Sequence, residues 1–415
     1  MPTKKSTRVT TIAIPKPHKG GQRAILLHPS KYQVVACGRR FGKTEAGKII
    51  TFMNAVNDGK IVWWVTPTYK MSTPVWKVIL EMLRPLATWV SAQERRIFLP
   101  NGGEVTVWAG ESPDSIRGGK ADVVIIDEAA MLNSDEAWFK VLQPALLDRQ
   151  GRAYFFSTPR GHNWFYELFL EGQKKDQNLY KSWQFSSYFN PYMKNEWIDQ
   201  NRKTTPDRFF RQEYLAEFID DAGEVFRKIL DASILPYRTP YSGEFVIGID
   251  WGRKMDFTVA CVLDVKTGEQ VDLVRFSKIA WETQRNNILA LINKWKPQTI
   301  IAEENSMGDV LIEQFLTEFN VDVEPYYMTN KSKSVVIDKL VLALEIGKLK
   351  LLKEPVQIRE LQGFNGKRSS FGNIIYGAPA GMHDDTVIAL ALANYAAETS
   401  MASYGGAMPR LSVWR

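Results

Sequence analysis

Residues 32–51, YQVVACGRRFGKTEAGKIIT, run from an apolar stretch through a glycine-bearing turn into a helix-spaced stretch, and no other segment restricts the fold as strongly. A loop that wraps phosphate with its backbone N–H groups needs a strand leading in and a helix N-terminus leading out. Gly42, Lys43 and Thr44 supply a glycine, an ammonium that reaches the β- and γ-phosphates, and a hydroxyl for Mg2+. Cys37 stands where the usual pattern has its first glycine, with Gly38 beside it. The flanks agree with this reading. YQVVAC, KIVWWVTP, EVTVWAG, ADVVIID and GRAYFFSTP read as strands, separated by helical patterns such as TEAGKIITFMNAV and TPVWKVILEMLRPLATWV. Such alternation predicts an α/β domain whose mainly parallel sheet carries helices on both faces. The strands of this first half are expected to stop after Pro159, and residues 162–217 read as helices and loops.

The run VVIIDE, residues 123–128, is an apolar strand ending in two acids. Asp127 suits the water shell of Mg2+, and Glu128 suits polarisation of an attacking water. Arg39 and Arg40, inside the loop, can track a γ-phosphate or lock onto a neighbouring carboxylate. Arg117, followed by two glycines in SIRGG, can project into a neighbouring subunit as an arginine finger. Ser157 and Thr158, in STPRG, end the next strand where the γ-phosphate can be sensed and its loss passed on.

The chain then interrupts its periodicity around residues 221–242 and restarts. FVIGIDWG, FTVACVLDV, QVDLVRFSKI, QTIIAEEN and KLKLL read as strands, and TQRNNILALINKW, DVLIEQFLTEF and SVVIDKLVLALEI as helices, so a second α/β domain with its own sheet is expected. Asp250 ends one strand and Asp256 enters the next. Glu303 and Glu304 end a third strand, and Asp384 and Asp385 open a helix. Acids drawn together from two strand ends and a helix start repel one another unless divalent cations neutralise them. Two metals there can activate a water and stabilise the leaving 3′ oxygen of a phosphodiester. His383 is a nearby candidate base. Lys331, Lys333 and Lys339 on one helix, with Lys367 and Arg368 in the basic hairpin GKRSSFGNIIYG, are candidate contacts to DNA phosphates.

Composition narrows the class. With 45% hydrophobic and 24% charged residues, 415 residues suffice for two packed domains, and a net charge of +7 favours a polyanionic partner. Cys37 and Cys261 both fall in strand-like apolar runs, which suggests neither a disulfide framework nor a cysteine metal cluster. No run approaches the roughly 20 apolar residues of a membrane span, and the N-terminus lacks the apolar core of a signal peptide. An intracellular protein is expected.

CGRRFGKT, ADVVIIDEAA and STPRG together resemble the ATPase half of the large terminase subunits of tailed bacteriophages, and the order of the later acids resembles the RNase H-like nuclease half of the same proteins. The resemblance implies a basic arm at 1–20, an ATPase core at 21–165, a helical lid at 166–220, a linker at 221–242, a nuclease domain at 243–398 and a flexible tail at 399–415. It makes an arginine-bearing loop with Cys37 ordinary, and it implies that Gln22, ahead of Gln33, contacts adenine. Its Glu-x-Asn-x-x-Gly pattern selects Glu303, and the second acid of the last doublet, Asp385, becomes the central ligand, with Asp256 and Asp384 as auxiliaries. It further implies ATP with Mg2+ in the first domain and two Mg2+ or Mn2+ ions in the second. Its partners would be double-stranded DNA, a small terminase subunit and the portal of the procapsid. The protein would be a monomer in solution and a ring when docked, in the cytoplasm of an infected host and absent from the virion. The hairpin 366–377 is expected to gate cutting. A helicase or remodelling ATPase with a non-cleaving second domain is the alternative.

Overall fold

The computed structural model describes residues 16–132, 135–175, 178–219, 225–252, 257–277, 279–304, 308–368, 374–379 and 381–404. Most of the expected N-terminal arm, Asp256, the centre of the 366–377 hairpin and the end of the tail lie outside them. The chain divides into two compact units at about residue 220.

The first unit is built on an eight-stranded sheet: β1 (Tyr32–Cys37), β2 (Ile61–Thr66), β3 (Trp89–Ser91), β4 (Arg96–Phe98), β5 (Glu104–Ala109), β6 (Val123–Asp127), β7 (Arg152–Ser157) and β8 (Tyr180–Phe185), in the order β3-β4-β5-β2-β6-β7-β1-β8. All neighbours from β5 to β8 pair in parallel, and only β3 and β4 run antiparallel at one edge. Burial on both faces explains why the strands read as unbroken apolar runs. Val34 and Ala36 pack on one side with Val124, Ile126, Ala153 and Phe155, whereas Val35 and Cys37 pack on the other with Val123, Ile125, Tyr154 and Phe156. One expectation fails here. The strands do not stop at Pro159, because YKSWQF forms β8 alongside β1. Lys181, Ser182 and Gln184 break up its aromatic residues, so it lacks the apolar run that betrayed the others.

The second unit contains β9 (Ser233–Leu235), β10 (Phe245–Asp250), β11 (Thr258–Asp264), β12 (Gln270–Phe276), β13 (Thr299–Glu304), β14 (Glu324–Tyr327), β15 (Leu351–Leu352), β16 (Asn365–Arg368) and β17 (Ile374–Gly377). Its five-stranded sheet has the order β12-β11-β10-β13-β14, antiparallel from β12 to β10 and parallel from β10 to β14. The fifth strand is EPYY, largely exposed and carrying a proline, rather than the expected KLKLL, which contributes only β15 paired to β9. The stretch read as linker is also packed: Val225, Phe226, Ile229, Ala232 and Leu235 join the core of this unit. Helices Trp281–Trp295 and Gly308–Phe319 cover one face of the sheet, and Asn330–Glu345 and Asp385–Tyr404 the other. The last helix lies directly on β10. A Cβ on Gly248 would sit 2.2 Å from both the Ala389 carbonyl oxygen and the Ala393 nitrogen, so this contact requires glycine.

Candidate functional site

In the first unit β1 ends at Cys37, whose thiol is buried and pushed up to about 12 by that burial. Cys37 is therefore strand core, and the loop proper begins at Gly38, where a Cβ would meet the Tyr214 carbonyl oxygen at 2.5 Å. The loop turns through left-handed conformations at Arg40 (φ 62°) and Gly42 (φ 103°) and opens helix Lys43–Thr51, with Thr44 half-buried in its first turn. Segment 187–214 holds the loop from one side. Ser187 Oγ donates to the Arg39 carbonyl (2.6 Å), Asn190 Nδ2 to the Arg40 carbonyl (2.6 Å), and Arg39 Nε to Glu213 Oε2 (2.5 Å).

Gln22 braces it from the other side. Its amide donates to the Gly42 carbonyl (2.8 Å) and accepts from the His18 N–H (3.0 Å). Both ends of that buried amide are thus engaged with backbone. Gln33 instead accepts from the Trp183 indole (3.2 Å) and donates to the His28 carbonyl.

Lys43 is the hub of the site. Its ammonium donates to Thr158 Oγ1 (3.0 Å) and lies 3.2 Å from Glu128 Oε1. Burial would lower its pKa, but the charges of Glu128 and Asp127 outweigh that and raise it. Asp127, at the buried end of β6, is pushed up to about 6 by burial and then by Glu128, with Lys43 opposing. Glu128 takes a left-handed conformation (φ 56°, ψ 46°) that is uncommon for a non-glycine residue. Ser157 Oγ accepts from the Ala130 N–H (3.1 Å), and Asn163 Nδ2 donates to the Ala130 carbonyl (2.8 Å), so the turn after Glu128 is tied to the end of β7 and to helix Trp164–Glu171. Arg117 is exposed on the loop between β5 and β6, where its charge acts on Glu136. Sequence reading passed over Arg160 and Glu213. Burial lowers the Arg160 guanidinium against the charges of Glu213 and Glu128, which places it beside the acids; it was legible inside STPRG. Glu213 carried no sequence signal, because only the fold brings its helix to the loop.

In the second unit the alternation of strand residues sorts the acids. Val246, Gly248 and Asp250 share the face of β10 that meets helix Asp385–Tyr404, and Ile301 and Glu303 share the same face of β13, leaving Glu304 on the opposite one. Asp250 is buried and its carboxyl is pushed well above the usual carboxylate range, by burial first, then by a hydrogen bond with Glu303 and the charges of Glu303, Asp385 and Asp384. His383 Nδ1 lies 3.5 Å from Asp385 Oδ2. Among the described residues no three acid, histidine or cysteine side chains already close around one point at metal-ligand spacing. The donor set nonetheless fits a hard divalent cation: converging carboxylate oxygens, one imidazole, and a carboxyl driven towards protonation where no cation compensates it.

The basic residues divide. Lys331 and Lys367 are exposed. Lys333 is instead paired with Asp384 Oδ2 at 2.8 Å, and Lys339 with Glu398. Arg368 belongs to β16, and its side chain lies outside the description, as does Asp256. Among the described residues no helix is long and apolar enough to cross a membrane.

Two family models match this chain: one described as terminase large subunit, T4likevirus-type, N-terminal, over residues 35–230, and one described as terminase RNaseH-like domain, over residues 247–395. The large terminase subunit of Thermus virus P23-45 is 31% identical, spanning 91% of this chain and 87% of its own length. That of Thermus phage G20c is 30% identical with the same coverage. A solved large terminase from a thermophilic bacteriophage superposes with a TM-score of 0.51 at 14% identity, covering 88% of this chain and 94% of its own, a likeness of fold alone.

Proposed function

Because the chain belongs to the terminase large subunit family, an ATPase unit followed by an RNase H-like nuclease unit, we propose that it drives double-stranded DNA into a procapsid and cuts concatemeric viral DNA at two separate sites. In the first, Gly38 to Lys43 cradle the β- and γ-phosphates of ATP, and Thr44 and Asp127 hold its Mg2+. Glu128 takes the proton of the attacking water. Its 3.2 Å contact with Lys43 is surrendered when the γ-phosphate arrives and claims the ammonium. Thr158, already on Lys43, and Ser157, on the turn after Glu128, carry the loss of that phosphate to helix Trp164–Glu171. Gln22 supports the loop through Gly42 and would reach the adenine only by releasing one of its two backbone partners. Arg39 and Arg40 serve the phosphates of their own site, and Arg117 serves the site of a neighbouring subunit.

In the second site Asp250, Glu303 and Asp385 hold the divalent cations, with Asp256 and Asp384 as auxiliaries. Two Mg2+ or Mn2+ ions bound there supply an activated water and neutralise the leaving oxygen. Lys331, Lys367 and Arg368 meet phosphates; Lys333 and Lys339 do so only after leaving their acids. The hairpin formed by β16 and β17 limits access of DNA. The partners we propose are the small subunit and the portal, with a ring on the portal, a monomer in free solution, action in the host cytoplasm and no place in the virion.

The observation that carries this reading is the placement of Asp250 and Glu303 on the sheet face covered by the helix that Asp385 opens, close enough for the charges of Glu303 and Asp385 to raise the Asp250 carboxyl, since a helicase has no use for such a set. Plasmid incubated with Mn2+ tests it. Asp250→Ala is expected to lose nicking and keep ATPase activity, and Lys43→Ala to lose ATPase activity and keep nicking. Intact plasmid with the parent protein, or loss of both activities together in a folded Asp250→Ala chain, would transfer the case to the helicase.

A further inference from the structure

Helix Asp385–Tyr404 begins at the acid doublet, and its beginning is capped from elsewhere. The Ile388 N–H donates to the Asp384 carbonyl (2.9 Å), which makes Asp384 the residue at the N-cap position. An aspartate there ordinarily turns its carboxylate onto the second or third free N–H of its own helix. Here Asp384 Oδ2 is turned to Lys333, and the Thr386 N–H donates to Glu360 Oε2 (2.8 Å), a carboxylate on helix Pro355–Gly363. Thr386 Oγ1 donates to the same oxygen (2.5 Å).

Glu360 is buried, and its other oxygen accepts from Arg275 Nη2 (3.3 Å). The Arg275 guanidinium lies 3.2 Å over the Phe257 ring, which packs edge-on against His383 at 5.2 Å. Both flanks of the doublet, His383 and Thr386, are therefore tied to the one Arg275–Glu360 pair. We propose that Glu360 is a surrogate N-cap, a positioning residue that relieves Asp384 and Asp385 of capping and leaves their carboxylates to a divalent cation beside Asp250 and Glu303. Without Glu360, the freed Thr386 N–H recruits the nearest acid, Asp384, and the cation loses a ligand.

The inference rests on the nuclease reading, and direct measurement of Mn2+ binding to the full-length chain by calorimetry separates the two. Glu360→Gln keeps an acceptor for Thr386 and is expected to bind Mn2+ within about threefold of the parent. Glu360→Ala is expected to weaken binding by roughly 10- to 100-fold, the usual cost of removing a partner that orients a ligand. ATPase activity should be unchanged in both. Should Glu360→Ala fail to fold, Glu360→Asp keeps the charge beside Arg275 but falls short of Thr386, and is expected to weaken Mn2+ binding about tenfold. A folded Glu360→Ala or Glu360→Asp chain with parental affinity would overturn the proposal, as would a Glu360→Gln chain as weak as Glu360→Ala, since charge rather than capping would then matter. A parent chain that takes up no Mn2+ would overturn both this proposal and the nuclease reading.

Discussion

Gly248→Ala probes the contact on which the second site depends. The added methyl would lie 2.2 Å from the Ala389 oxygen and the Ala393 nitrogen, both backbone atoms that no rotamer change can remove. To restore an ordinary 3.4 Å separation the helix must retreat by about 1.2 Å. Asp385 precedes Ala389 by four residues, about 6 Å along the helix axis, so the retreat is carried to its carboxylate almost undiminished. Overpacking of this kind costs about 1–3 kcal/mol. The functional cost is larger, because ligands must hold their distances to about 0.2 Å and a 1 Å misplacement of a reacting group costs about 100-fold in rate. Mn2+-dependent plasmid nicking should therefore fall by about two orders of magnitude while ATPase activity stays at the parental level. Gly347→Ala is the control: Gly347 has φ 70° with nothing within 4 Å, so it should lose about 1 kcal/mol in urea unfolding and keep its nicking rate. Equal nicking by Gly248→Ala and the parent would refute the argument that the helix rests on β10 at this point.

Two further outcomes test the electrostatics. Asp127 is lifted in the folded chain from 3.8 to about 6, so its stabilising share is present in acid and is lost as pH rises through that range; Asp127→Asn should stabilise the nucleotide-free protein at pH 8 by at most about 3 kcal/mol, seen as a higher thermal midpoint, and leave the midpoint unchanged near pH 4. Equal midpoints at pH 8 would contradict the assignment of a strained charge to that strand end. Lys333→Met removes the cation from Asp384, so the metal-free chain should melt earlier at neutral pH and gain more from saturating Mn2+ than the parent does; equal gains would mean that Lys333 and the metal do not compete for the same carboxylate.

Legibility in the sequence followed burial. β1, β2, β6, β7, β10, β11 and β13 are covered on both faces, so each was an apolar run that periodicity could find. β8 and β14 are edge strands; YKSWQF intersperses Lys181, Ser182 and Gln184 among its aromatics, and EPYY is largely exposed and carries a proline, so neither met the pattern. The loop residues Gly42, Lys43 and Thr44 were legible because the phosphate-loop pattern fixes both residue types and spacing. Glu213, Ser187 and Glu360 were not, since each acts through a hydrogen bond between segments more than 20 residues apart, and a single sequence records no such pairing.

The acidic doublets show where one more physical step extends the reading. Glu303 and Glu304 are equivalent as letters, but a strand sends successive side chains to opposite faces, and the face is fixed by which neighbours are apolar: Ile301 belongs with the helix that bears Asp385, and Ala302 with the opposite core. Glu303 follows Ile301 in phase and reaches Asp250; Glu304 follows Ala302 and does not. Asp384 and Asp385 cannot be separated by that rule, because a helix start has no alternation. There the distinction comes from partners. Lys333 holds the first, Asp250 feels the second more strongly than the first, and the helix start that follows them is held by a carboxylate 26 residues from Thr386 on another helix. A strand end can thus declare in sequence which of two acids faces the cluster, whereas a helix end declares it only once its cap has been found.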